Sequence, residues 1–116
     1  MTREVEMSES ETPVRDAAKI MGEKRIGSLI VTRNRQPYGI FTERDLLTSF
    51  LAKEKSLDTM IGEAASSPLI TIPSGTSVHK AADTMASKHV RRLPITKNNK
   101  IIGIVTARDL VEAYSK

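Results

Sequence analysis

Two seven-residue stretches hold most of the chemistry this chain offers: Gly39-Ile40-Phe41-Thr42-Glu43-Arg44-Asp45 and Gly103-Ile104-Val105-Thr106-Ala107-Arg108-Asp109. In each, a short apolar run turns at a threonine into a helical pattern. A hydroxyl and a carboxylate three residues apart at such a turn suit a ribose diol. The first turn of a helix offers N–H groups and partial positive charge to a phosphate. Arg44 and Arg108 add a charged fork, and Gly39 and Gly103 leave room for a ligand against the backbone. A second explanation needs no ligand: Thr-x-x-Asp is a capping box, in which hydroxyl and acid satisfy each other's backbone N–H. A cap requires neither a glycine three residues before the threonine nor an arginine just before the acid, and here the whole set occurs twice. That favours paired sites for a phosphate-bearing small molecule.

The elements that must position these residues repeat as well. From Thr12 to Leu47 and from Thr76 to Val111 the chain aligns with itself at an offset of 64 residues without a gap, with 15 of 36 positions identical. Two copies are too few for a solenoid. Each copy reads β-α-β-β-α. An extended piece (Glu4–Met7, Leu69–Ile72) leads to a helix capped at Thr12 or Thr76, with Pro13 at the first helical position. Val14, Ala17, Ala18 and Met21, like Val78, Ala81, Ala82 and Met85, recur at helical spacing as one apolar stripe. Hairpins follow: Ser28–Thr32 with Tyr38–Phe41, and Leu93–Thr96 with Ile101–Val105, turning at residues 34–37 and 97–100. The closing helices carry Leu46, Leu47, Phe50 and Leu51, and Leu110, Val111 and Tyr114, as their expected buried stripes. The fold class is α+β in α/β-type layers. Repeat one spans 1–58 and repeat two 59–116, with residues 53–67 as connector. One β-β-α half cannot cover both faces of its own sheet, so the halves are expected to pack as an intramolecular pseudo-dimer.

Composition narrows the classes. At 116 residues, 39% hydrophobic and 3% aromatic, the chain must build its core from aliphatic side chains. It lacks Cys, which excludes disulfides and thiol chemistry and accords with a reducing cytoplasm. No signal-peptide core and no membrane-length apolar run occur. The net charge of +4 lies entirely in residues 59–116, with a cluster at Lys88, His89, Arg91 and Arg92. His79 and His89 have no partner at metal-ligand spacing, and no catalytic arrangement can be argued, so neither a metal site nor an enzyme is expected. A nucleic-acid module using Arg33, Arg35, Lys97, Lys100 and the Lys88–Arg92 cluster stays open as an alternative. So does a ligand-free module that only dimerises.

On these residues the chain resembles a tandem pair of CBS domains, the cystathionine β-synthase type module. The family pattern Gly-hydrophobic-x-Thr-x-x-Asp is met in full by both copies. The preceding hydrophobic-x-x-hydrophobic-Pro strand is met by Val90-Arg91-Arg92-Leu93-Pro94. It is departed from in Ile26-Gly27-Ser28-Leu29-Ile30, where Ile30 stands in place of proline. The resemblance implies an adenosyl ligand, AMP first among AMP, ADP, ATP and S-adenosylmethionine, in clefts between the repeats. One cleft would use Thr106, Asp109, Arg108, Arg92 and Gly103 with Ile26, Gly27 and Val5. The other would use Thr42, Asp45, Arg44, Ser28 and Gly39 with Val90, Arg91, Leu69 and Ile70. Arg92 stands where copy one has Ser28, so the Asp109 cleft is expected to be the tighter. The resemblance further implies a homodimer packed through helix faces, at Val14–Lys24 and Glu43–Glu54 and their copies; with no effector domain in the sequence, the expected output is a partner such as an effector protein, the chain itself or its own oligomer. No cofactor, membrane or nucleic-acid partner is implied.

Overall fold

The computed structural model describes residues 5–115. It divides into two units: Glu6–Leu69, and the residues from Ile70 onward together with Val5. The first contains β1 (Met7–Glu9), α1 (Val14–Lys24), β2 (Ser28–Arg33), β3 (Gln36–Thr42) and α2 (Glu43–Asp45). The second contains β4 (Ile72–Pro73), α3 (Val78–Lys88), β5 (Arg92–Lys97), β6 (Lys100–Thr106) and α4 (Ala107–Tyr114). Each has a three-stranded sheet with the β2 or β5 strand central, parallel to the short first strand and antiparallel to the third. The expected β-α-β-β-α order is therefore present in both units. The leading strands lie slightly later than expected, and Glu4 falls outside the described residues.

Local chemistry explains the elements. The hairpins close through Asn34-Arg35 and Asn98-Asn99, each pair at positive φ (53° and 64°; 53° and 63°). Two left-handed residues give a turn whose twist matches the flanking strands, and asparagine adopts that conformation readily. Both hairpins carry a register shift at the same place, between Val31 and Thr32 and between Ile95 and Thr96. The helix caps differ from expectation by one residue. Pro13, without a side-chain acceptor, caps α1. Ser77 caps α3 through its hydroxyl, while the Thr76 hydroxyl turns back to the Pro73 carbonyl.

The alternating strand residues and the helix stripes meet in one core per unit. Val14, Ala17, Met21, Leu29, Val31, Phe41, Phe50 and Ile61 form the first, and Ile72, Ala81, Met85, Leu93 and Leu110 the second. The closing helices bury less than the sequence suggests. After Asp45 the backbone widens into a π-helix over Leu46–Leu51, with the Ala52 N–H on the Leu47 carbonyl at 2.8 Å. Phe50 turns inward, edge-on to Phe41 at 6.2 Å between centroids. Leu47 and Leu51 stay outside at 57% and 51% exposure. In α4 only Leu110 is buried, and Val111 and Tyr114 face solvent.

The connector is part of the first unit's structure. The Thr59 and Leu57 carbonyls accept from the Val14 and Arg15 N–H groups at 2.8 and 2.9 Å, supplying acceptors that Pro13 cannot. Arg15 also pairs with Asp58. Further on, Ser66 exchanges both backbone hydrogen bonds with Ile40 at 2.9 and 3.0 Å. This crossing explains Gly39: a Cβ there would lie 2.5 Å from the Ser66 carbonyl oxygen. Gly22, in the exposed part of α1, has nothing within 4 Å of such a Cβ. Gly39→Ala should therefore destabilise the protein by about 1–3 kcal/mol through overpacking. Gly22→Ala should stabilise it by about 0.5–1 kcal/mol. Urea unfolding of the two variants should move in opposite directions; equal shifts would contradict the crossing.

Candidate functional site

Both Thr–Asp turns form complete capping boxes. In the first, the Thr42 N–H donates to Asp45 Oδ2 at 2.9 Å, the Asp45 N–H to Thr42 Oγ1 at 3.2 Å, and the Thr42 hydroxyl to Oδ2 at 3.0 Å. In the second, the Thr106 N–H donates to Asp109 Oδ2 at 2.8 Å and the Asp109 N–H to Thr106 Oγ1 at 3.2 Å. The next amides are also taken: Glu43 N–H by the Gly27 carbonyl and Ala107 N–H by the Arg91 carbonyl, at 3.0 and 2.9 Å. The expectation of an open set of helix N–H donors is thus corrected. Caps and a neighbouring strand entry satisfy most of them. The room expected at Gly39 is likewise filled by Ser66. Asp45 uses only Oδ2 among the described hydrogen bonds, which leaves Oδ1 as an acceptor.

Strand register brings other predicted residues to the turns. Ser28 pairs with Thr42 and Arg92 pairs with Thr106, so each stands one strand away from its own unit's Thr–Asp pair. Ser28 is buried and Arg92 half-buried. Arg44 and Arg108 are both exposed and differ in partner. Arg108 reaches Glu112 at 3.2 Å, whereas Thr48, the position equivalent to Glu112, gives its hydroxyl to the Arg44 carbonyl. Such an exposed pair is worth only about 0.3–0.5 kcal/mol and yields readily to a stronger anion.

Of the remaining residues, Gly103 is buried on β6 opposite Ile95. Ile26 packs on the first core; Val90 and Ile70 pack on the second. Gly27 and Arg91 contribute the carbonyls that hold the helix starts. Val5 groups with the unit carrying Asp109, and Leu69 with the unit carrying Asp45.

One cluster went unseen in the sequence. The Arg33 guanidinium lies 3.8 Å from the centre of the Tyr38 ring, and the Ser67 hydroxyl donates to the Tyr38 oxygen at 3.3 Å. The Ser67 hydrogen bond, ahead of the Arg33 charge, holds the Tyr38 phenol below its usual range. Two residues five apart across a hairpin offer only a weak signal of such a stack. Among the described residues no group of three His, Asp or Glu could hold a metal, and no helix is long and apolar enough to cross a membrane.

The CBS domain sequence profile matches residues 1–52 and 61–116. The chain belongs to the CBS-domain family. An uncharacterised protein of Methanopyrus kandleri is 40% identical over 108 residues, covering 90% of this chain and 55% of its own. This CBS pair thus spans about half the length of that relative. The crystal structure of an uncharacterised conserved protein from Pyrococcus horikoshii matches with a TM-score of 0.87 at 27% identity, over 100% of this chain and 89% of that one. A hexameric CBS-CP12 protein from bloom-forming cyanobacteria matches with a TM-score of 0.88 at 28% identity, over 96% and 66%.

In the second CBS repeat, partial burial works to raise the Asp109 carboxyl. The hydrogen bonds to it, with the Thr106 backbone N–H foremost, outweigh this and hold it below the usual carboxylate range. Its contribution to stability is therefore complete above the unfolded value of about pH 4. It is lost as pH falls through the lower folded value. Asp109→Ala should cost about 1 kcal/mol of stability at pH 7 through the cap. The gap in melting temperature between wild type and variant should close in acid. A gap that persists unchanged to pH 2 would contradict the assignment.

Proposed function

We propose that this CBS pair is a regulatory module that binds an adenosine nucleotide at its Thr–Asp turns, AMP ahead of ADP, ATP and S-adenosylmethionine. The observation that carries the reading is the register match of Arg92 with Thr106. It sets a cation beside a hydroxyl–carboxylate pair three residues apart. Thr106 and Asp109 would take the ribose hydroxyls, and Arg92 and Arg108 the phosphate. Thr42, Asp45 and Arg44 form the second set. There Ser28 replaces the cation and is buried, which supports the Asp109 site as the tighter. The module carries no catalytic role in this reading. It works in the cytoplasm by favouring one arrangement when nucleotide is bound, and a partner protein reads that arrangement.

AMP should raise the melting temperature of the wild type. Asp109→Ala should lower affinity about ten- to a hundred-fold by removing charge-assisted hydrogen bonds, and Asp45→Ala should affect only a weaker event in calorimetry. Loss confined to Asp45→Ala would reverse the ranking. The closed capping boxes favour one other reading, a ligand-free interaction module. Absence of a thermal shift with all four ligands would select it.

In either case exposed Leu47 and Leu51 on the first unit's closing helix, and exposed Val111 on the second's, support self-association through the helix faces. The wild type should sediment as a homodimer, and Leu47→Glu with Val111→Glu should give a folded monomer. An unchanged mass would remove this interface.

A further inference from the structure

Phe50, which the π-helix turns inward, also lines a cavity in the first unit. Beyond the helix the chain reverses at Glu54, whose φ is 54°. The Lys55 N–H closes back on the Phe50 carbonyl at 3.0 Å. The connector then packs on the core through Leu57 and Ile61 and makes a short, tight helical turn at Ile61–Glu63. Between the end of the π-helix and that turn lies a cavity of about 470 Å³, partly open to solvent and lined by Ser49, Phe50, Lys55, Thr59, Glu63 and Ala64. Small-molecule sites span about 300–1,000 Å³. Three kinds of group share this lining. Phe50 and Ala64 are apolar, Ser49 and Thr59 bring half-buried hydroxyls, and Lys55 and Glu63 bring opposite charges. Among the described residues, neither hydroxyl has a hydrogen-bond partner and neither charge has an ion-pair partner, each other included. Two opposite charges thus line one cavity and stay beyond ion-pair distance. A molecule that carries both charges and an apolar group complements all three kinds of lining.

We propose that this cavity binds a free α-amino acid with an apolar side chain. Lys55, with a hydroxyl, would take its carboxylate and Glu63 its ammonium, and Phe50 and Ala64 would meet its side chain. A simple anion or a simple cation would leave one of the two protein charges unmet. The bound molecule would bridge the end of the π-helix to the connector. Thr59 carries this bridge beyond the cavity, because its carbonyl also accepts from the Val14 N–H at the start of α1. The lining shares no residue with either Thr–Asp turn. The inference therefore does not rest on nucleotide binding.

The test is titration of the intact protein with L-leucine, read by amide chemical shifts. Leucine should move the Ser49, Lys55, Thr59, Glu63 and Ala64 amides to saturation. Affinity should fall at least about fivefold for isocaproate, which lacks the ammonium, and for isoamylamine, which lacks the carboxylate. Lys55→Glu and Glu63→Lys should each weaken leucine binding by a similar factor. Both positions are exposed, and circular dichroism of the two variants separates lost binding from lost folding. The proposal is overturned if millimolar leucine leaves these amides unmoved, or if it moves only those of the Thr–Asp turns. It is also overturned if either single-charge analogue binds as tightly as leucine, or if both folded charge-reversal variants bind leucine as the wild type does.

Discussion

The reciprocal bond between threonine and aspartate at the end of each hairpin is the constraint on which both units turn. A strand must stop and a helix must begin within one residue, and the helix start leaves N–H groups that a buried turn cannot abandon. Thr42 with Asp45, and Thr106 with Asp109, settle two of them by exchanging side-chain and backbone bonds. The carbonyls of Gly27 and Arg91 settle a third. The turn is thereby fixed to the entry of the central strand, and that strand's register decides which residue stands beside the pair: Ser28 in one repeat, Arg92 in the other. The polar groups of each turn are held by these bonds because they are structural first.

That double role explains both what the sequence disclosed and what it concealed. The hairpins were legible because alternating β-branched residues flank asparagine-containing turns, and α1 and α3 because their apolar residues recur at helical spacing. The Thr–Asp cap was legible from its spacing. The reason for Gly39 was not, since the backbone that crowds it comes from Ser66, 27 residues onward. Periodicity likewise marked Leu47 and Leu51 as buried. The π-helix changes the angle between successive residues and gives the inward place to Phe50. A pattern count that assumes 3.6 residues per turn misassigns a stripe wherever the backbone departs from it.

The repeats are alike in order and unlike in dressing. Identical hairpin geometry and identical caps coexist with a π-helix on one side and a regular helix on the other. Under the proposed function, asymmetry of this kind would let the two Thr–Asp turns differ in affinity. Around the turns themselves it comes from single positions, Arg92 against Ser28 and Glu112 against Thr48.

The connector's attachment to the first unit has a further consequence. The stretch that repeats in sequence and the stretch that folds together are out of step. The second profile match opens at Ile61, yet residues 61–69 belong with the unit before them. A fragment ending at residue 52, where the first profile match closes, would strip α1 of its acceptors and remove Leu57 and Ile61 from the core that holds Phe50. A fragment ending at Leu69 would keep both. The first repeat is not a free-standing module in the way its sequence symmetry implies. It is finished by chain that the second copy's boundary would claim.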